Sequence, residues 1–88
     1  MKIDATHKRA VRGHDIAVAV DGPEGIARVL TQLDGDNLGD ETLDPANESY
    51  AQEFKQAGGW TPGEDHALVV TVTDAKAKEH VKTVRWTD

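Results

Sequence analysis

The densest group of chemistry-bearing side chains is the run Asp34, Gly35, Asp36, Asn37, Leu38, Gly39, Asp40 and Glu41. A hard cation such as calcium takes about six to eight oxygen ligands, and Asp34, Asp36 and Asn37 open like a calcium-binding loop with Gly39 at its sixth place. The candidate metal ligands are Asp34, Asp36, Asn37 and Asp40. The pattern then departs, because Leu38 replaces the fifth oxygen donor and Pro45 stands where a Glu would supply two oxygens. A plain polar turn over residues 34–44 is the simpler expectation, and no cofactor is expected.

Other chemistries have thinner support. His7, His14, His66 and His80 lack metal-ligand spacing, and zinc wants three or four ligands in a tetrahedron, so they are expected at the surface or at strand ends. The lone serine, Ser49, sits between Glu48 and Tyr50 without a glycine-rich elbow, which argues against a serine hydrolase. Asn47, Glu48 and Ser49 spell a glycosylation acceptor that a chain of this length produces by chance. Trp60, between Gly59 and Thr61, is the candidate binding residue: exposed on a loop, its indole would stack on a sugar or a partner. The alternative is a Trp folded over the end of the core. Trp86 is expected between the sheets or on an outer face beside Val84.

These side chains have to be positioned by one small domain. The chain has 88 residues, and its Leu, Ile, Val and Phe content is close to the level below which chains cannot bury enough apolar surface, so the core must be small. There is no cysteine, so the fold stands on burial and backbone hydrogen bonding. The first 12 residues lack the apolar run of a secretory signal, and no stretch is apolar enough to span a bilayer, so membrane insertion is not expected. The net charge is −6, but the ends are basic and the middle acidic: residues 13–74 carry 13 acids against Arg28 and Lys55. That excess argues against a nucleic-acid partner, which would require a basic surface.

Alternation of apolar and other residues marks strands at 67–73 (Leu68, Val70, Val72), 15–21 (Ile16, Val18, Val20, closed by a turn at Asp21, Gly22 and Pro23) and 81–86 (Val84, Trp86). Two segments fit both templates. Ile26, Val29, Leu30 and Leu33 suit a helix as well as a strand, and 44–59 has Asp44 and Pro45 as a helix start, Tyr50 and Phe54 four apart, and Gly58 as a stop.

The neighbouring stretch Thr61, Pro62, Gly63, Glu64, Asp65, His66, Ala67, Leu68, Val69, Val70, Thr71, Val72, Thr73, Asp74 resembles bacterial immunoglobulin-like domains. There a Pro-Gly turn leads into a His-x-Leu-x-Val-x-Val strand and an Asp that opens the last hairpin. The departure is Ala-Lys-Ala-Lys at 75–78, where such domains commonly have a glycine. The resemblance tips both ambiguous segments toward strand. It implies an all-β, immunoglobulin-like sandwich of six to seven antiparallel strands, at 2–11, 14–21, 26–33, 49–56, 66–74 and 79–87 with a short piece near 41–43. The alternative is a small α/β domain with helices near 24–33 and 45–57.

In such a sandwich the first and last strands lie near one another. The expectation is therefore a dipolar molecule, with Lys2, Lys8, Arg9, Lys82 and Arg85 on one side and the acidic 34–44 loop elsewhere. The expected function is non-enzymatic: a monomeric structural or protein-interaction module. The alternative is ligand binding, to carbohydrate through Trp60 or to calcium through residues 34–44.

Overall fold

A computed structural model describes all residues, 1–88. It is all-β, with strands β1 (Lys2–Ala10), β2 (Gly13–Leu33), β3 (Asp36–Gln56), β4 (Asp65–Asp74) and β5 (Glu79–Thr87). Every pairing is antiparallel, and together they make one curled, open sheet. The two ambiguous segments are strand, and no helix forms. Strands expected separately at 14–21 and 26–33 are continuous in β2, and 49–56 is the second half of β3. The fold has five strands rather than six or seven.

β2 is the centre of the sheet because it is hydrogen-bonded along both edges. β3 follows its whole length on one side, while on the other β1 pairs with residues 13–21 and β4 with residues 26–33. The turn expected at Asp21, Gly22 and Pro23 is instead an irregularity at which the chain changes partner. Pro23 has no N–H to donate, and this is where no ladder partner requires one. Gly25 takes φ 95° there, and its carbonyl accepts the Ala75 amide at 3.1 Å.

The second irregularity restores the inward face. Ile16, Val18 and Val20 point into the core on even positions, whereas Val29, Thr31 and Leu33 do so on odd ones, and the register shift between Ile26 and Arg28 makes the change. Without that extra residue, every side chain after it would turn to the opposite face. Leu68, Val70 and Val72 of β4 complete a core of nine buried aliphatics. Each contributes about 1.5–3 kcal/mol by leaving water.

Two turns follow directly from residue type. Asp34 and Gly35 both have positive φ, 51° and 87°, so they form a two-residue hairpin between β2 and β3. The loop expected over 34–44 is thus a tight turn followed by strand. In the β4–β5 turn, Ala77 takes φ 65°, the conformation in which glycine is easiest. The turn is held from the other side: Asp74 Oδ1 accepts the amides of Lys76 at 2.8 Å and Lys78 at 2.9 Å, and Asp74 Oδ2 accepts from His80 Nε2 at 3.0 Å.

The curl brings the free edges of β1 and β5 side by side and pointing the same way. Met1, Lys2 and Ile3 share a surface depression with His80, Val81 and Lys82, and Arg9 reaches Asp88 at 2.9 Å. No ladder joins these strands, so the sheet stays open. Lys2 and Lys82 line one depression, but Arg85 lines another with Asp34 and Asp65, and Lys8 a third with Asp15 and Glu53. The expected separation of basic from acidic residues is therefore not what the fold gives; the acidic residues of β3 lie along an edge of the sheet.

Two substitutions probe this packing. A Cβ on Gly39 would lie 2.8 and 2.9 Å from the Phe54 ring. Gly39→Ala should therefore lower unfolding free energy in urea by about 1–3 kcal/mol, with most of the loss recovered by adding Phe54→Leu. Thr31 is fully buried and its hydroxyl has no hydrogen-bond partner. Thr31→Val keeps the shape and removes that cost, so it should raise stability by about 1 kcal/mol in the same assay.

Candidate functional site

At one end of the sheet the inward-facing stripes change from aliphatic to aromatic. In β1 the series Ile3, Ala5 ends in His7; in β2, Ile16 is preceded by His14; in β4, Leu68 is preceded by His66; in β5, Val84 is followed by Trp86. His66 lies directly opposite Trp86 in the β4–β5 ladder, whereas in the β1–β2 ladder His7 faces Ile16 and His14 faces Arg9, so the two imidazoles meet diagonally. Residues 57–64, between β3 and β4, bring Trp60 over them.

The five rings form a continuous stack. Trp86 lies on His7 with centroids 4.0 Å apart, His7 on His14 at 5.0 Å, His14 on Trp60 at 4.1 Å, and Trp60 on His66 at 3.7 Å. His66 and Trp86, 5.8 Å apart, close the circuit. His7 Nε2 and His14 Nδ1 share a hydrogen bond of 2.8 Å. Burial, and next the charge of His14, hold the His7 imidazole below its ordinary pKa, against the opposing pull of Asp88.

His66 is anchored by the hairpin turn. Its Nδ1 donates to Asp34 Oδ2 at 2.6 Å, while Asp34 Oδ1 accepts the Ala67 amide at 2.8 Å. Burial alone would raise the Asp34 carboxyl, but the hydrogen bonds from His66 and Ala67 outweigh it and hold the pKa below the usual carboxylate value. The other nitrogen, His66 Nε2, is buried without a partner, as is Trp86 Nε1. Beside them an open depression of about 390 Å³ is lined by Asp34, Asp65, Arg85 and Thr87 as well as the two rings. An imidazole held by a carboxylate is the arrangement of a general base, and here its second nitrogen is enclosed by protein.

No family model, curated protein or solved structure matches the chain.

The residues singled out in the sequence are distributed as follows. Trp60 is half-buried at the edge of the core with His14 and His66 stacked on it, rather than presented as an open platform. Asp34 is engaged by His66, Asn37 accepts from Gln32 Nε2 at 3.0 Å, and Asp40 receives two hydrogen bonds from Arg28 at 2.8 and 2.6 Å. Asp36 pairs with Leu33 in the ladder. The four are not gathered around one point, because successive residues of a strand face opposite sides. No group of three or more His, Asp or Glu side chains is placed to hold a metal ion.

His14 and His66, expected at the surface or at strand ends, are at strand ends but buried, 8% and 3% exposed. His80 is half-buried on Asp74. Trp86 lies on the inner face. The ring cluster has one trace in the sequence: each of its four strand residues continues an apolar alternation by one more inward position. Its assembly needs the register.

Asp34→Asn keeps the turn geometry and removes the charge that His66 donates to. A carboxyl whose folded pKa is depressed stabilises above its unfolded value, near 3.8, and loses that contribution as pH falls through the folded value. The variant should be about 1 kcal/mol less stable than the parent in urea at pH 7, and the gap should shrink as the pH falls through the folded value of Asp34.

Proposed function

We propose that this chain is a non-enzymatic, immunoglobulin-like module that acts as a spacer or protein-interaction unit. Support for the sandwich reading comes from the pairing pattern. With β2 and β3 each divided at their irregularities, residues 2–10, 13–21 and 49–56 pair as one antiparallel layer. Residues 36–42, 26–33, 65–74 and 79–87 pair as the other. Immunoglobulin-like sandwiches distribute seven strands over two such layers. The departure is that two of the crossings between layers run through continuous strands.

The observation that carries the functional reading is the placement of the two termini. The body measures 41 × 19 × 18 Å. The amino group of Met1 lies 3.4 Å from Glu24, at the bend of β2. At the far end, Asp88 donates its amide to the Glu64 carbonyl at 2.8 Å and accepts from Gly63 through its own carbonyl. The nine residues of β1, about 30 Å when extended, separate the two regions. A chain that enters at one end of a rod and leaves at the other extends an assembly by the length of the rod. The radius of gyration, 13.5 Å, exceeds the roughly 12 Å of a spherical domain of this size.

The amino-terminal end is held by the Met1–Glu24 ion pair and by Met1 and Ile3 packed on the core, and the distal end by Arg9, Asp88 and the ring stack. Both terminal segments are therefore fastened to the body, as transmission of position along an array requires. Two copies joined tail to head by a short linker should scatter X-rays as a rod with a maximum dimension near twice 41 Å. A pair folded back side by side, little longer than one copy, would defeat the spacer reading.

A further inference from the structure

We propose that the His7–His14 pair is an acid-operated latch on residues 57–64, releasing Trp60 when both imidazoles are charged. The argument begins with the contact itself. Two ring nitrogens 2.8 Å apart, His7 Nε2 and His14 Nδ1, have room for one proton between them. With the pair neutral or singly protonated, one nitrogen donates and the other accepts. A second proton leaves two N–H groups facing each other and two positive charges on rings whose centroids are 5.0 Å apart. The contact then has to open.

The surroundings decide where that strain goes. Facing His7 are Arg9 on its own strand, His66 from β4 and Asp88 at the end of the chain; of these only Asp88 favours a charged imidazole, and it is already held by Arg9 at 2.9 Å. Around His14 are Arg12, Gln56 and the Lys55–Asp15 ion pair at 2.9 Å. His66 is engaged by Asp34 at 2.6 Å. No uncommitted carboxylate stands ready to neutralise a doubly charged pair.

Movement of the pair reaches both indoles, because His7 carries Trp86 at 4.0 Å and His14 carries Trp60 at 4.1 Å. β5 is anchored by its ladder to β4, whereas residues 57–64 belong to no ladder. Trp60 is thus the ring that leaves. Its segment retains the Asp88 backbone bonds to Gly63 and Glu64, so release is local. The exposed indole and the vacated faces of His14 and His66 become an aromatic surface at mildly acidic pH and are covered at neutral pH. The sign agrees with the depressed His7 titration: a histidine whose folded pKa lies below 6.5 stabilises the closed form above that pH and ceases to as pH falls through the folded value.

Trp60 and Trp86 are the only tryptophans, so indole emission reports on this end alone. Between pH 8 and pH 5 the intact chain should show a reversible red shift of the emission maximum and at least a twofold rise in quenching by acrylamide. Its far-ultraviolet circular dichroism should remain that of the folded sheet. His7→Phe, which keeps a flat ring but cannot take a proton, should abolish the change or move it down by one pH unit or more, and His14→Phe should do the same. An emission maximum that is constant over this range, or a transition unaltered in both variants, overturns the latch. If neither variant folds, nuclear magnetic resonance of the parent chain decides: the Trp60 indole N–H must shift with the same midpoint as the His7 and His14 ring signals, and histidines that titrate without moving it refute the proposal.

Discussion

The structure depends on β2 keeping one apolar face turned inward while it serves two different neighbours. A strand of 21 residues twists and bends, and its period-2 alternation would lose the core partway along if the register were uniform. The one-residue shift against β4 between Ile26 and Arg28 corrects this, so that Ile16, Val18 and Val20 and then Val29 and Leu33 share one core with Leu68, Val70 and Val72. Position 25 is glycine because the same bend needs φ 95° and brings the backbone against Ala75 and Ala46. With so few aliphatics in the chain, an alternation that faced water over half of β2 would leave too little burial to offset chain entropy.

The scarcity of large aliphatics also explains the composition of one end. Five rings there occupy positions that Leu or Phe would fill in a richer sequence, and they do so by stacking, which adds roughly 0.5–1.5 kcal/mol per pair for aromatic partners beyond the area buried. Imidazoles bring a cost that phenyl rings lack, because each buried nitrogen needs a partner. Two are satisfied by each other and one by Asp34, while His66 Nε2 and Trp86 Nε1 are left without partners. An end built this way therefore carries two unpartnered buried nitrogens that the aliphatic middle does not.

Charge follows the edges of the sheet. β3 has a neighbour on one side only, and Asp36, Glu41, Asp44, Glu48 and Glu53 along it make pairing with another strand unfavourable. β1 and β5 protect their edges differently, by lying beside one another with Lys2 and Lys82 in the same depression. The long edges that remain discourage uncontrolled strand pairing.

Much of the strand content was legible from alternation alone: Ile16 to Val20, Leu68 to Val72 and Val84 to Trp86 repeat every second residue, and a strand with one buried face must do so. Asp34-Gly35 also carried its own meaning, a two-residue turn with positive φ at both positions, although the polar turn expected there spanned 34–44, where the structure returns to strand at Asp36. Of the first half of β3 only the short piece near 41–43 was legible, because the half is mostly exposed and its polar residues leave little alternation to detect. That β2 continues through Gly22 and Pro23 was hidden for a related reason: residues that break a strand locally are tolerated where its partners change. Beyond the inward alternation of its four strand residues, the ring cluster belongs to tertiary structure. His7, His14, Trp60, His66 and Trp86 have no common spacing in the sequence, since they come from four strands and a loop, and only the register and curl of the sheet bring their faces together.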